Sequence, residues 1–291
     1  MKIKVGVVQD APVFFDKERT LDKLEEIVIR HADDGCKLLV FPESYIPGYP
    51  RGFSFGATVG SRTDEGRSLY QAYHQASVDL QSDDRQRLES IAAESDIYLC
   101  FYISPTDGIM GIHRKIKPTG TERLIWAESD GQDLVVCDTK IGKIGGLICW
   151  ENYMPMARQA MLQQGVELYI APTADARPQW TSSMIHIALE GRCFVLAANQ
   201  YVTKSMYPDR FQQHLKAEPE VMCRGGSIIV SPLGQVIAGP LYDENGVLTT
   251  EIDLDEIVKS KLDFDNNGHY TRPDIFQLEV KNMPDIIKES K

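Results

Sequence analysis

Two stretches of this chain limit its fold more than any other feature, because each alternates short unbroken apolar runs with amphipathic segments. In the first, KVGVVQ is followed by LDKLEEIVIRHADDG, where Leu21, Leu24, Ile27, Val28 and Ala32 fall at helical spacing before a glycine stop. KLLVFPE, ending at Glu43, then reads as a second strand. The stretch 143–201 repeats the pattern without repeating the sequence: MARQAMLQQG and PQWTSSMIHIALEGR as helices, VELYIAPTA and CFVLAANQYV as strands. Strands with no polar alternation are buried on both faces, so helices must cover a sheet. Short strands flanking each helix, and late hairpins such as SPLGQV, predict two sheets with helices outside each. No Ser/Gly/Pro linker divides the chain, which favours one domain over 1–275 and a tail over 276–291.

The remaining segments fit around that plan. Ser44 to Gly66 is rich in Gly, Pro and aromatics and reads as a long functional loop, followed by a helical region over about 67–94. DIYLCFYIS and IMGIHRKI look like neighbouring strands, and DLVVCDTKIGKIGGLIC like a strand pair turning near Ile141 to Lys143. GGSIIVSPLGQVIAG and GVLTTEIDL complete the strand set, and DFDNNGHYTRPDIFQLEVKN suits a segment lying on a partner chain or wrapping the body.

Composition excludes some classes of function. Acidic residues outnumber basic ones 42 to 31, a net charge of -11 without a basic stripe, which argues against a general nucleic-acid binder. No run approaches the roughly 18–20 apolar residues of a membrane span, and MKIKVGVVQD reads as a first strand rather than a signal peptide. Cysteines 36, 100, 137, 149, 193 and 223 form no CxxC pair, and we expect reduced thiols in a cytoplasmic protein, all but Cys149 as core filler.

Three segments each deliver a reactive type at a strand-to-loop boundary: Glu43 ends LLVFPE, Lys115 sits in HRKIK, and Cys149 ends GGLIC. A thiol is mostly protonated at neutral pH, a nearby carboxylate can take its proton during attack, and a lysine can stabilise the charge that develops. Together they would suffice for attack on an electrophilic carbon bonded to nitrogen. Taken singly, Glu43 reads as well as an exposed strand end, Lys115 as part of a solvated charge run and Cys149 as buried filler. Among histidines 31, 74, 113, 186, 214 and 269, His186 is a candidate near-site residue and His113 would share a strand face with Lys115, and none displaces Glu43 as base. No HExxH, cysteine pair or phosphate-binding glycine motif occurs, so no metal or cofactor is expected. Tyr45, Tyr49, Trp150, Tyr153 and Trp180 are aromatic candidates for a substrate pocket.

Taken together, LVFPESYIPGYPRG, HRKIKPTGTER and GGLICWENYMP resemble, in order, the three catalytic segments of nitrilases in the carbon-nitrogen hydrolase superfamily. The resemblance covers nearly the whole chain and implies an α/β fold, a four-layer α-β-β-α sandwich. It implies Glu43 as general base, Lys115 as charge stabiliser and proton donor, Cys149 as nucleophile and Glu122 as a supporting carboxylate, with Trp150-Glu151-Asn152 walling the nucleophile. Many relatives carry histidine where this chain has Gly120, which bears on pocket shape. The implied reaction takes an organic nitrile and water to the carboxylic acid and ammonia through a thioimidate and a thioester. A superfamily amidase, a cyanide-hydrolysing member and a non-catalytic assembly protein are the competing readings. A homodimer or larger homo-oligomer is expected by the same resemblance.

Overall fold

The computed structural model describes residues 1–57, 63–99 and 102–281. Cys100, residues 58–62 of the Ser44–Gly66 segment and residues 282–291 of the tail lie outside them.

The first stretch builds β1 (Lys2–Gln9), α1 (Lys17–Asp33) and β2 (Cys36–Val40). Asp16 caps α1 by accepting from the Arg19 N–H at 3.1 Å, and Gly35 leaves the helix at φ +82°, where a side chain would be strained. The helical region is two helices, α2 (Asp64–Gln75) and α3 (Asp83–Glu94), started by hydroxyl caps from Thr63 and Ser82. Gly66 does not close the preceding loop but lies inside α2, where a Cβ would come within 2.4 Å of the Phe55 carbonyl oxygen.

Short strands β3 (Tyr98–Leu99), β4 (Ile103–Ser104) and β5 (Gly108–Ile109) follow. The expected strand IMGIHRKI stops at Ile109. The Arg114 N–H goes to the Asp133 carboxylate at 3.1 Å and the Ile116 N–H to Glu151, so side chains take the donors that a strand partner would use. The hairpin expected near Ile141 forms from β6 (Cys137–Thr139) and β7 (Gly142–Gly146). Then come α4 (Pro155–Leu162), β8 (Leu168–Ile170), α5 (Pro178–Gly191) and β9 (Phe194–Ala197). The run CFVLAANQYV splits, its end forming β10 (Tyr201–Thr203). The chain closes with α6 (Asp209–Gln212), β11 (Val221–Val230), β12 (Val236–Tyr242), β13 (Gly246–Asp253) and α7 (Asp255–Ser260).

Among the described residues the strands form two sheets, ordered β13-β1-β2-β3-β4-β5 and β10-β11-β9-β8-β7-β6, with β12 paired to β11. The late return of β13 to pair antiparallel with β1, Val5 opposite Thr250, ties the two ends of the sandwich together. Side chains alternate across each strand as its pleat requires. Leu168, Ile170, Phe194 and Leu196 meet Val5, Val7, Leu38 and Val40 between the sheets, while Tyr169, Val195 and Ala197 face Met161, Met184 and Ile187 of α4 and α5. Leu24 and Val28 of α1 and Ile91 of α3 cover the other sheet. The layers are therefore helix, sheet, sheet, helix, as the resemblance implies. Beyond α7 the chain runs over the surface, with Tyr270, Ile275 and Phe276 exposed and Val280 against the α4–α5 cluster.

Candidate active site

Cys149 opens a 3-10 turn, Cys149–Tyr153, just past β7. Its φ of +49° lies in the left-handed region, which costs a residue bearing a Cβ about 1–2 kcal/mol. Local bonds hold it there. The Cys149 N–H donates to the Pro172 carbonyl at 2.9 Å. Asn152 Nδ2 donates back to the carbonyls of Leu147 and Cys149 at 2.8 and 2.9 Å, and the Tyr169 hydroxyl fixes Asn152 Oδ1 at 2.8 Å. Glu151 is a second brace: it accepts from the N–H groups of Ile148, at 2.7 Å, and Ile116, and lies 2.9 Å from His113 Nε2. Burial disfavours an imidazolium at His113, but the Glu151 and Asp133 carboxylates outweigh it and raise its pKa.

The other groups converge on this turn from the opposite side. Lys115 Nζ stands 2.8 Å from Glu43 Oε1 and 2.8 Å from the Glu122 carboxylate, and all three side chains are buried. Glu43 Oε2 accepts from the Ala174 N–H at 3.0 Å, and Gln200 Nε2 donates to the Glu43 carbonyl at 2.8 Å. Glu122 occupies the 3-10 turn Gly120–Leu124 and takes the Thr119 N–H at 2.6 Å. Thr173 Oγ1 donates to Cys149 Sγ at 3.1 Å. Gly120 sits at φ +56°, and a Cβ there would meet nothing within 4 Å, so open space stands where a side chain would project.

Two carboxylates, one ammonium and one thiol thus share a space largely closed to water. Burial raises the Glu43 carboxyl above the ordinary carboxylate range, partly opposed by the Lys115 charge. Burial and the Glu43 charge push the Cys149 thiol up, so the resting group is S–H rather than thiolate. Burial by itself would lower Lys115, but the facing Glu43 and Glu122 carboxylates reverse the direction and keep it an ammonium. The carboxylate whose charge acts most strongly on the thiol is that of Glu43, which is therefore the candidate to take its proton.

Cys149 borders a cavity of about 600 Å³, lined also by Tyr49, Arg51, Trp150, Ala174 and Arg177. Tyr49 packs edge-on against Trp126, ring centroids 6.5 Å apart, and Trp150 Nε1 donates to Asp175 at 2.9 Å under the Arg177 guanidinium. Four expected pocket residues point elsewhere. Ser44, at φ +50°, turns the chain so that Tyr45 packs on Phe41 and lines a separate apolar cavity of about 270 Å³. Trp180 is 1% exposed and belongs to the core between α5 and its sheet. Tyr153 and His186 line a surface cleft with Arg158 and Ser183. Of Trp150-Glu151-Asn152 only Trp150 faces the cavity; the other two brace the turn from beneath. Thr173, Ala174, Asp175 and Gln200 were not singled out from the sequence, although Thr173 in APTA is a polar residue at the end of an apolar run, the same signal that marked Glu43.

Such a cluster belongs to a hydrolase that works through a covalent thiol adduct. The family model for carbon-nitrogen hydrolases matches residues 4–108 and 100–261. The chain is 42% identical over 303 residues to a bifunctional nitrilase/nitrile hydratase of Lupinus angustifolius, covering 97% of this chain and 87% of that one. It is 43% identical over 299 residues to an aliphatic nitrilase of Sinorhizobium fredii (strain HH103), covering 97% of each. Among solved structures, a carbon-nitrogen hydrolase from Helicobacter pylori G27 superposes with a TM-score of 0.70 at 19% identity, over 94% of this chain and 97% of that one. Saccharomyces cerevisiae Nit3, a member of the nitrilase superfamily, gives 0.68 at 19% identity, over 93% and 97%. The chain belongs to the carbon-nitrogen hydrolase family.

Proposed function

We propose that this protein is a nitrilase that converts an organic nitrile and two waters to the carboxylic acid and ammonia. The observation that carries the reading is the meeting of Cys149, Glu43, Lys115 and Glu122 beside one open cavity. Cys149 Sγ attacks the nitrile carbon as its proton passes to Glu43 and on to the nitrile nitrogen, leaving a thioimidate. Lys115 faces the developing nitrogen charge, as the resemblance implies, and its contacts with both carboxylates hold it charged for that role. Water, deprotonated by Glu43, adds to the thioimidate carbon; ammonia leaves with the returned proton, and a thioester remains. A second water, activated in the same way, releases the acid and restores the thiol. Glu122 fixes Lys115 from the far side.

The same tetrahedral intermediate can expel sulfur instead of ammonia and yield an amide. The nitrile hydratase activity in the name of the lupin relative makes that branch worth measuring here. Turnover of benzonitrile, phenylacetonitrile, butanenitrile, an aliphatic dinitrile and cyanide, with acid, amide and ammonia resolved, tests the reading. Acid and ammonia are expected from organic nitriles, with a loss of about ten-thousandfold or more in Cys149→Ala. Turnover of amides alone would move the function to an amidase.

Association and location belong to the same reading. The exposed apolar side chains of Tyr270, Ile275 and Phe276 favour a homodimer or larger homo-oligomer. The unpaired state of Cys36, Cys137, Cys149, Cys193 and Cys223 favours the cytoplasm. No helix among the described residues is long and apolar enough to cross a membrane.

A further inference from the structure

The charges around the Cys149 cavity do not cancel. Arg177 is tied to Asp175, its Nε 2.8 Å from Oδ1, and Arg224 to Asp243, its Nε 3.2 Å from Oδ1. Arg51, the third arginine of the lining, has no carboxylate partner among the described residues. Among the described residues its guanidinium makes one hydrogen bond, from Nη2 to the Ala174 carbonyl, and lies 5.5 Å from the centre of the Tyr49 ring. Both contacts are to held groups of the site: Ala174 gives its N–H to Glu43, and Tyr49 packs edge-on against Trp126. Gly52 follows Arg51 at φ +76°, and a Cβ there would lie 2.9 Å from Leu215 and Glu218, so the backbone is wedged as well. A half-buried guanidinium is thus held in place with most of its donors unspent and open to the cavity.

We propose that Arg51 receives an anionic group of the substrate, so that the preferred nitriles carry a carboxylate a short spacer away from the reacting carbon. The inference rests on the nitrilase reading and narrows it. Its length scale follows from the contacts. Cys149 Sγ accepts from Thr173 Oγ1, and Arg51 Nη2 donates to the carbonyl of the next residue, Ala174. Two hydrogen bonds and two adjacent residues keep their separation below about 14 Å. Attack at about 3 Å and a guanidinium–carboxylate contact of about 3 Å leave at most about 8 Å, a spacer of no more than about five carbons. A planar guanidinium offering parallel N–H groups matches a carboxylate better than a hydroxyl or an amide.

The test is the ratio of kcat/KM for 3-cyanopropanoate to that for butanenitrile, measured by ammonia release in the wild type, Arg51→Gln and Arg51→Lys. The wild type is expected to prefer the carboxylated nitrile by about 10- to 100-fold, with the difference carried mainly in KM. Arg51→Gln should collapse that ratio towards one and Arg51→Lys should keep part of it. Added salt should erode the wild-type preference. A ratio separates recognition from any general loss caused by releasing the Ala174 carbonyl. A wild type that favours butanenitrile, or a ratio unchanged in Arg51→Gln, overturns the inference and leaves the nitrilase reading standing. Absence of Cys149-dependent ammonia from either nitrile and from the wider panel would overturn both.

Discussion

At the scale of single residues, the site stores its reactivity in protonation states that burial imposes. Glu43 must be ionised to accept the thiol proton, and burial raises its pKa above the usual 4.5. A group whose pKa is raised binds its proton at higher pH, so activity is lost as the pH falls through that raised value. The acid limb of the kcat/KM profile should accordingly lie well above the ordinary carboxylate range, and Glu43→Gln should lower kcat by about 10²–10⁴ at every pH while removing that limb. An acid limb near pH 4 in the wild type would contradict this account. Lys115→Met removes the ammonium that touches both carboxylates, for an expected loss of about 10²–10³ in kcat measured under saturating nitrile. The left-handed backbone of Cys149 gives a separate check on stability. Of two inactive variants, Cys149→Gly should unfold at higher denaturant than Cys149→Ala, by about 1 kcal/mol, because glycine relieves the strain.

At the scale of elements, legibility followed local spacing. Strand ends bearing Glu43 and Cys149 were readable because an apolar run that stops on a reactive side chain is unusual. Lys115 taken singly was one more charge of HRKIK, and only alongside Glu43 and Cys149 did it read as a stabiliser of developing charge. Whether an aromatic faces the cavity was not readable, since that depends on turns. Ser44 in a left-handed conformation separates Tyr45 from Glu43, and the helical phase of α5 sends Trp180 inward and His186 outward. Glu151 was likewise invisible as a brace, because its three partners come from residues 113, 116 and 148. Two predictions separate bracing from lining. Trp180→Ala should cost about 3–5 kcal/mol in denaturant unfolding, with KM values across the nitrile panel left in proportion. Glu151→Ala strips the half-buried Ile116 and Ile148 N–H groups of their acceptor, for about 1 kcal/mol each, and should lower kcat more than it raises KM, because residues beside Lys115 and Cys149 both lose their anchor.

At the scale of the whole molecule, the two sheets supply different halves of the chemistry. Glu43 follows a strand of one sheet, Cys149 and Ala174 follow strands of the other, and Lys115 and Glu122 lie on the segment that crosses between them. The α-β-β-α plan was readable from alternating runs because the pleat forces it. The closure of the sandwich by β13 onto β1 was not, since that pairing joins residues about 250 positions apart. Association should be visible in mass measurements over a range of concentrations, and Phe276→Glu, at a side chain 76% exposed, is expected to shift the population to smaller species. A protein found only as monomer at all concentrations would remove that expectation. The division of labour between the sheets also suits the molecule to use as a split reporter. Cut at the exposed Ala127–Glu128 stretch, the chain yields one piece holding Glu43, Lys115 and Glu122 and another holding Cys149 and the strand that pairs with β1. Neither piece alone has both base and nucleophile, so ammonia release would register complementation, the rejoining of the fragments when fused partners bring them together.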